Sequence, residues 1–337
     1  MKLLKQLYET HSPSRKEDAM MALIKAHCLK VGAKVIEDSG NLYAVKGESD
    51  TYPCVIAHTD QVQDKPCRAY QAKDIMFGLS LDGRSFEGLG ADDKNGIWIA
   101  LKCLESVPVM KAAFFRSEEI GCLGSAKATV KFFDDCRFVI QCDRKGGHDF
   151  INEIGCTELC SDAFVKAAKL KDFGFKKQTG MMTDVQQLRK LGVKASCCNI
   201  SCGYYEPHTS REYTILPELK NTLAFVKSII RNCTEVYEFV PKVKTYGSSY
   251  GQGYNGYGSL YGGGWSNTGQ WQTRSIYDRI DDVEGAVAIH EENIDTLMLQ
   301  YKNLLKRVAG LEGQLLKGKG NTTAEADDLP ADDTTNN

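Results

Sequence analysis

Acidic and histidine side chains stand at the ends of several short apolar runs, where a folded chain can gather them around a metal ion. In chain order they are His58 with Asp60, Asp92, Glu118 with Glu119, Asp143 and His208. Imidazole and carboxylate groups are ligands of zinc in catalytic sites, and bound zinc supports hydrolysis by polarising water. Each residue alone has an ordinary structural explanation, such as a helix cap or a turn. Their shared position is what indicates metal-assisted hydrolysis.

The spacing within two of these groups suggests a division of roles. His58 and Asp60 lie two residues apart after the apolar run 53–57, so their side chains share one face and Asp60 can hold the far ring nitrogen of His58. Glu118 and Glu119 are adjacent and point in different directions. One glutamate of this pair can bind a metal ion while the other faces a bound water molecule and takes its proton.

The charges of a two-zinc site built from these groups are balanced. Three carboxylates and one hydroxide neutralise two Zn²⁺ ions when both histidines are neutral. A neutral cluster suits a partly buried site, because an uncompensated buried charge is costly. If an aspartate of the glycine-rich turn 88–96 bridges both ions, each zinc ion has the four ligands that are usual for it.

The elements that position these groups are typical of an α/β domain. Short apolar strands alternate with helical patterns, which predicts a mainly parallel, mixed sheet with helices on both faces. The predicted helices are two within 2–32, then 94–106, 125–133, 183–191 and 216–230, and the predicted strands are 34–37, 42–45, 53–57, 112–116, 137–142 and 194–200. Such sheets bind ligands at the carboxyl ends of their strands, where the polar positions above fall.

Five separated motifs, in this order, resemble the co-catalytic di-zinc exopeptidase superfamily. That group includes peptidase T, glutamate-releasing carboxypeptidases, aminoacylases and zinc leucyl aminopeptidases. The motifs are His-x-Asp at 58–60, GADDKNG at 90–96, SEEIG at 117–121, the strand-ending Asp143 and Pro-His at 207–208. GADDKNG is most similar to peptidase T, whereas 183–193 and SCGYYEPHTSREY at 201–213 are more similar to the aminopeptidase branches. The resemblance covers about residues 1–235.

The resemblance implies a role for each matching residue. The implied zinc ligands are His58, Asp92, Glu119, Asp143 and His208. Asp92 is the bridging carboxylate, because the family's bridging Asp lies two positions before a Lys, here Lys94. Asp60 orients His58, and Glu118 is the general base. The implied cofactor is two Zn²⁺ ions per chain, with Co²⁺ or Mn²⁺ as alternatives.

The resemblance gives less information about the substrate. Asp at position 143 favours an aminopeptidase within the family, but a carboxypeptidase and an N-acyl amino acid amidohydrolase share the same site. Many relatives insert a lid domain between the fourth and fifth ligands; here the interval 144–207 is needed for the sheet and its helices. Tyr204 or Tyr205 is a candidate for oxyanion stabilisation, with a structural aromatic role as the alternative. Candidates for holding a substrate carboxylate, unless they are solvated surface residues, are Arg144, Lys145 and Arg211.

The composition changes after Val240. We predict a di-zinc peptidase domain without a lid at 1–240, a Gly/Tyr/Ser-rich linker at 241–274, a coiled-coil helix at 275–317 and a disordered acidic tail at 318–337. From Ile276 to Leu315 the seam residues are spaced four and three apart, and His290 is the only one that is not apolar or aromatic. This pattern predicts a homodimer or homotrimer, with a helix packed on the catalytic domain as the alternative.

Composition bounds the remaining possibilities. A formal net charge of −2 gives no argument for nucleic acid or an anionic membrane as a partner, and no apolar run approaches the length of a membrane span. The 13 cysteines are scattered through apolar segments, which suits reduced thiols in a cytoplasmic protein. The pair Cys197–Cys198 is interpreted as buried strand thiols, with a reactive or metal site as the alternative.

Two hypotheses of different classes follow from the sequence. The first is a metal-dependent exopeptidase, foremost an aminopeptidase acting on short peptides and assembled through its coiled coil. The second is an assembly protein that carries a non-catalytic peptidase-like module. Glu118 beside a complete ligand set favours the first, because a binding module does not require a general base.

Overall fold

A computed structural model of the chain describes residues 1–155 and 157–239. The predicted linker, coiled coil and acidic tail lie outside the described residues, so the architecture below is that of the predicted peptidase domain. Within the described part of the chain, no helix is both long and apolar enough to cross a membrane.

The domain is built from alternating strands and helices, as the sequence predicts. The helices are α1 (Lys2–Glu9), α2 (Asp18–Lys30), α3 (Ala91–Ser106), α4 (Asp162–Ala168), α5 (Asp184–Lys190) and α6 (Leu216–Asn232). The strands are β1 (Lys34–Asp38), β2 (Asn41–Lys46), β3 (Tyr52–His58), β4 (Arg68–Ala72), β5 (Ile75–Leu79), β6 (Met110–Phe115), β7 (Cys136–Arg144), β8 (Asp149–Ile154), β9 (Thr157–Glu158), β10 (Lys176–Gly180), β11 (Ser196–Ser201), β12 (Tyr204–Tyr205) and β13 (Tyr213–Ile215).

The main sheet has the order β1-β2-β6-β3-β7-β11-β8-β10, with β9 paired to β8. Its centre is parallel, because β3 runs parallel to β6 and β7, and β7 runs parallel to β11. Antiparallel pairs lie on either side, at β1–β2, β2–β6 and β8–β11. A second, smaller antiparallel sheet has the order β12-β13-β5-β4. The predicted mainly parallel, mixed sheet is confirmed.

Helices cover both faces of the main sheet. Along β3, Val55 and Ala57 belong to one apolar cluster while Cys54 and Ile56 belong to another, as the alternation of side chains in a strand requires. The first cluster includes residues of α1, α2, α3, α4 and α6, and the second includes residues of α5. Because β3 is buried along its whole length, its last residue, His58, has a buried polar side chain.

Two features of the secondary structure differ from the prediction. The segment 125–133 is not one α-helix but two short 3-10 turns, Ser125–Lys127 and Val130–Phe133, because Ala128 between them has an extended backbone. The hairpin β4–β5 and the helix α4 were not predicted. Strand β4 is largely exposed and lacks the apolar run that identifies a buried strand, and the apolar run of β5 is only five residues long.

The residues between Asp143 and His208 form no separate lid within the described part of the chain. They supply strands β8 to β11 of the main sheet and the helices α4 and α5.

Candidate metal centre

The carboxyl ends of three neighbouring parallel strands meet at one edge of the sheet. His58 is the last residue of β3, Asp143 lies near the end of β7, and Glu118 with Glu119 follow β6. Asp92 reaches the same edge from the first turn of α3, which packs on β3 and β7. Parallel pairing therefore gathers residues that are far apart in sequence.

Three of these side chains form an inner group. Nε2 of His58 lies 3.1 Å from Oδ1 of Asp92 and 3.5 Å from Oδ1 of Asp143. The His58 side chain is 1% exposed, and those of Asp92 and Asp143 are 11% and 8% exposed. One imidazole and two carboxylates therefore lie close together in a mostly buried position.

Three side chains form an outer group, and Asp92 belongs to both. Nε2 of His208 lies 3.3 Å from Oδ2 of Asp92 and 3.1 Å from Oε2 of Glu119. The ligand atoms within each group lie within 4.8 Å of one another, and no other such group occurs among residues 1–155 and 157–239. The two oxygens of Asp92 thus face two different histidines.

The electrostatics of this cluster suit a pair of cations. Burial, together with the charge of Asp92, raises the pKa of Asp143 to about 8. Burial opposes ionisation of Asp92 too, but hydrogen bonds from His208 and His58 keep its pKa well below the usual value. Oε1 of Glu119 is buried and has no hydrogen-bond partner in the protein. Buried carboxylates with an unsatisfied oxygen are what a divalent metal ion would compensate, so the residues fit a metal cofactor.

Asp93 occupies a different position from Asp92, although the two are adjacent and joined by a cis peptide bond. Oδ2 of Asp93 accepts a hydrogen bond from the backbone N–H of His58 (3.2 Å), and Oδ1 accepts one from Gly96 (3.0 Å). The side chain of Asp93 therefore joins the start of α3 to the end of β3. Asp92 is left as the carboxylate that faces both histidines.

Glu118 lies beside the metal-ligand cluster but belongs to neither group. Burial, with the charge of Asp143 among the nearby carboxylates, raises its pKa to about 9. Its Oε1 accepts a weak hydrogen bond from Sγ of Cys122, at 3.4 Å. Glu118 is therefore outside the two candidate ligand groups, whereas its neighbour Glu119 belongs to one of them.

Asp60 does more than orient His58. Its Oδ1 lies 3.3 Å from Nδ1 of His58, as the sequence predicts for a residue that holds the far nitrogen. It also accepts hydrogen bonds from the backbone N–H groups of Glu118 (2.9 Å) and Glu119 (3.2 Å). Ser14 donates its hydroxyl hydrogen to Oδ2 of Asp60 at 2.7 Å. One buried carboxylate thus lies against a histidine and holds the backbone of the loop that carries both glutamates.

The segment between α1 and α2 supports the same loop a second time. Glu17 is fully buried, and its Oε1 accepts from both the backbone N–H (3.1 Å) and the hydroxyl (2.9 Å) of Ser117. Ser117 has a positive φ of 56°, a conformation that these two hydrogen bonds hold. Ser14 and Glu17 are supporting positions that the sequence does not reveal, because their partners lie 46 and 100 residues away and no local motif links them.

Glu212 positions the turn that carries Asp92. It is 1% exposed and accepts hydrogen bonds from the backbone N–H groups of Gly90 (2.6 Å) and Asp92 (3.1 Å) and from Nε2 of Gln63 (3.1 Å). Burial raises the pKa of Glu212 to about 7. In the sequence, only the position of Glu212 four residues after His208 indicates that it supports this turn.

The turn before α3 requires glycine at one position. Gly90 has a φ of +62°, and a Cβ there would lie 2.9 Å from Cβ of Gln61 and 3.0 Å from Nζ of Lys94. The ammonium group of Lys94 is buried and donates to Oε1 of Gln61 (2.5 Å) and to the carbonyl oxygen of Leu89 (3.1 Å). These contacts fix the backbone from which Asp92 projects.

Asp143 is held by its own set of partners. Thr183 donates its hydroxyl hydrogen to Oδ2 at 2.7 Å, and Gln141 donates from Nε2 to the same oxygen at 3.1 Å. The backbone N–H of Asp143 donates to Oδ1 of Asn199 on β11 at 2.8 Å. Oδ1 of Asp143 is left to face His58.

The two tyrosines predicted as candidates for oxyanion stabilisation, Tyr204 and Tyr205, lie in different surroundings. Tyr204 is 3% exposed, and burial with the charges of Asp92 and Asp143 raises its pKa, so it lies near the cluster. Tyr205 instead donates its hydroxyl hydrogen to Glu218 at 2.7 Å and stacks on Tyr213. These two contacts are those of a structural aromatic residue.

The basic candidates lie outside the cluster of metal-binding groups. Arg211 is exposed, Arg144 forms an ion pair with Asp149 at 3.2 Å, and Lys145 is exposed. Cys197 and Cys198 are fully buried, and no cysteine belongs to a metal-binding group among the described residues. The interpretation of this pair as buried strand thiols agrees with its placement.

Comparisons with known proteins find similar solved structures but no matching sequence family. No family model and no curated protein sequence matches this chain. Aminopeptidase PepT from Bacillus cereus superposes with a TM-score of 0.58 at 14% identity, over 69% of this chain and 98% of that one. A tripeptidase from Staphylococcus aureus gives 0.57 at 14% identity, over 69% and 97%. The chain has the fold of these peptidases.

A third similar structure is the TET1 peptidase of Pyrococcus horikoshii, described as able to assemble into a tetrahedron or a large octahedral shell. Its TM-score is 0.51 at 14% identity, over 68% of this chain and 98% of that one. These similarities confirm the predicted exopeptidase fold and its likeness to peptidase T. At such identities they establish the fold alone, so the activity is argued from the site.

Proposed function

We propose that this protein is a metal-dependent exopeptidase, and that it acts as an aminopeptidase on short peptides. The observation that carries the proposal is the position of Asp92, whose two carboxylate oxygens face His58 at 3.1 Å and His208 at 3.3 Å. A carboxylate shared between two histidine-containing groups is an arrangement for holding two metal ions close together. The similar structures named aminopeptidase and tripeptidase support short peptides as the substrate class.

Each residue of the cluster has a defined role in this proposal. His58, Asp92 and Asp143 would hold one zinc ion, and Asp92, Glu119 and His208 would hold the other. When bound, the ions would supply Lewis-acid polarisation of the scissile carbonyl and of water. Glu118 accepts the proton of the attacking water and then delivers it to the amine that leaves, as a general base and acid.

The structure around Glu118 agrees with that role. Asp60 accepts a hydrogen bond from the backbone N–H of Glu118, which places this residue relative to His58. Burial raises the proton affinity of the Glu118 carboxylate in the metal-free protein, and nearby cations would lower it again. A pKa between these extremes is useful to a group that first takes and then gives a proton.

The test is product analysis of the zinc-loaded protein by mass spectrometry, with di-, tri- and longer peptides, some of them N-acetylated. The aminopeptidase proposal predicts loss of N-terminal residues from peptides with a free amine only. Trimming from the carboxyl end identifies a carboxypeptidase, and release of the acetyl group identifies an amidohydrolase. Absence of any cleavage by protein shown to contain two zinc ions would favour the non-catalytic assembly protein.

We also propose that the chain self-associates through the heptad pattern of residues 275–317. Deletion of 276–316 is expected to convert an oligomer into a monomer whose catalytic domain is still folded, measured by light scattering and circular dichroism. An oligomer that persists after the deletion would assign assembly to the catalytic domain, as in a peptidase shell.

A further inference from the structure

The outer histidine, His208, lies in a loop that belongs to the small antiparallel sheet. The loop, residues 206–212, begins where β12 ends at Tyr205 and ends where β13 begins at Tyr213. Its backbone has a positive φ at Glu206 (51°) and at His208 (63°). Residues other than glycine keep such a conformation only when the surrounding structure holds them. The loop therefore depends on the structure at its base.

Backbone pairing alone gives the base of the loop little support. β12 and β13 pair over only two positions, the second of which is Tyr205 with Tyr213. A hairpin this short is marginally stable unless other groups pack against it. Within the loop, the hydroxyl of Thr209 donates to the carbonyl oxygen of Glu206 at 2.9 Å. This contact shapes the tip of the loop but does not join it to the sheet.

Stacked aromatic side chains supply a second connection across the small sheet. Each of its four strands contributes one residue to a single row, in the order Tyr205, Tyr213, Phe77 and Tyr70, because each is the register partner of the next. Register partners in antiparallel strands point to the same face of a sheet. The ring centroids of Tyr205 and Tyr213 are 5.3 Å apart with planes at 12°, and those of Tyr70 and Phe77 are 6.2 Å apart at 25°. We call these four side chains the aromatic row.

The aromatic row is anchored to α6 at the end that carries the loop. Tyr205 donates its hydroxyl hydrogen at 2.7 Å to Oε2 of Glu218, which lies in the first turn of α6. Helix α6 packs on α3, and the first turn of α3 contains Asp92. The stacked tyrosines therefore connect the base of the His208 loop to the elements that hold the shared carboxylate.

The geometry of the row argues against a platform for nucleobases or other flat ligands. Such ligands stack on the exposed face of an aromatic ring. Tyr205 and Tyr213 instead turn their faces toward one another, and both are partly buried. The opposite face of the small sheet is covered, since Met76 and Thr214 are buried. The row is thus built to hold strands together and not to receive a ligand.

We propose that Tyr205 and Tyr213 are positioning residues, which fix the direction in which the loop presents His208 and thereby set the affinity of the outer group for its metal ion. The proposal rests on the proposed metal-dependent function. Neither tyrosine belongs to a candidate metal-binding group, so both act only through the loop. His58 ends the buried strand β3 and does not depend on this pair. Loss of the stack is therefore expected to affect the outer ion alone.

The experiment measures the zinc affinities of the full-length protein by competition with a chelator. The step that is absent in His208→Ala identifies the outer ion. Tyr213→Ala removes the ring that stacks on Tyr205, and it is expected to weaken the outer step by about 10-fold, at the lower limit of effects seen when a group that supports a metal ligand is lost. The inner step is expected to stay unchanged. Tyr213→Phe keeps the stack and is expected to behave like the wild-type protein.

Tyr70→Ala is the matched control, because it removes a ring from the far end of the same row. Weakening of the outer step in Tyr213→Ala, with Tyr213→Phe and Tyr70→Ala unchanged, supports the proposal. Equal weakening of both steps, or the same change in Tyr70→Ala, assigns the row to general stability and overturns it. An unchanged outer step in Tyr213→Ala overturns it as well.

Hydrogen exchange separates failure of this proposal from failure of the proposed function. In full-length protein prepared without metal, Tyr213→Ala is expected to speed exchange of the backbone amides of 206–212 and to leave those of β3 unchanged, as followed by mass spectrometry. That result supports the positioning role even if the wild-type protein binds fewer than two ions, an outcome that would count against the proposed function. Unchanged exchange in the loop overturns the positioning role, whatever the metal content.

Discussion

The inner half of the candidate metal centre (His58 and Asp143) and the outer half (Glu119 and His208) lie on different kinds of structural element. The inner histidine, His58, ends the buried strand β3 and its side chain is 1% exposed. The outer histidine, His208, lies in a loop at a φ of +63°, and its side chain is 50% exposed. The difference shows that the sheet positions one half directly, whereas the other half depends on loops that must themselves be held.

Supporting hydrogen bonds follow the same division. In the inner half Asp60 lies against His58, and Thr183 with Gln141 holds Asp143. In the outer half Glu119 is positioned through its backbone by Asp60, and its Oε1 has no protein partner. Supporting contacts raise metal affinity, so we expect the inner ion to bind more tightly than the outer one.

The largest expected effect comes from a residue that belongs to neither half. Glu118→Gln keeps the shape of the side chain and removes its basicity, so kcat is expected to fall by about 10²- to 10⁴-fold while KM changes little. Metal analysis by mass spectrometry is expected to find two zinc ions still bound. Near-normal activity in this variant would contradict the assigned mechanism. Glu119→Gln is the matched control, because it is expected to lose the outer ion.

Removal of metal tests the expected difference in affinity between the inner and the outer half. Titration of the zinc-loaded protein with a chelator is expected to show two steps. Their metal affinities are expected to differ by about 10- to 100-fold, because loss of supporting contacts lowers metal affinity by about that factor. His208→Ala is expected to remove the weaker step and leave one ion per chain. Loss of the tighter step in that variant, measured by the same titration, would reverse the assignment of the two halves.

A smaller effect is expected from the hydroxyl group that supports Asp60. Ser14→Ala removes the 2.7 Å hydrogen bond to Oδ2 and is expected to lower kcat by about 10-fold, at the lower limit of effects seen for such supporting contacts. Ser14→Thr keeps a hydroxyl and is expected to restore most of the activity. A fall in stability without a change in kcat, measured by thermal unfolding and kinetics together, would give Ser14 a structural role only.

The smallest expected effect concerns pH. In the metal-free protein burial raises the pKa of Glu118 to about 9 and that of Asp143 to about 8. Between their ordinary values and these, the folded chain binds more protons than the unfolded chain, so its free energy of unfolding falls as pH rises. The bound metals replace those protons. The difference in Tm between zinc-loaded and metal-free protein is therefore expected to grow from pH 6 to pH 8, and a constant difference would argue against this coupling.

The division between the two halves also explains what could be predicted from the sequence. His58 and Asp143 follow apolar runs, and the runs themselves predict the strands that bring them together. The hydrophobic pattern of 53–57 and 137–142 carries that information, because buried parallel strands have nearly continuous apolar runs. The same logic predicts the mixed sheet and its helices.

The supporting residues could not be predicted in this way. Ser14, Glu17 and Glu212 act through partners that only the folded chain brings near, at separations of 46, 100 and 120 residues. A serine or a glutamate in such a segment is compatible with any exposed position. The 3-10 turns at 125–133 were missed for a related reason, since the helical pattern there is overridden by packing of Phe132 and Phe133 against the sheet.

The measurement that tests the account most directly is an anomalous difference map at the zinc absorption edge from crystals of the zinc-loaded protein. The account predicts two peaks on either side of the Asp92 carboxylate, one next to His58 and Asp143 and the other next to Glu119 and His208. A single peak, or two peaks that do not share Asp92, would contradict the two-metal centre on which the proposed function depends.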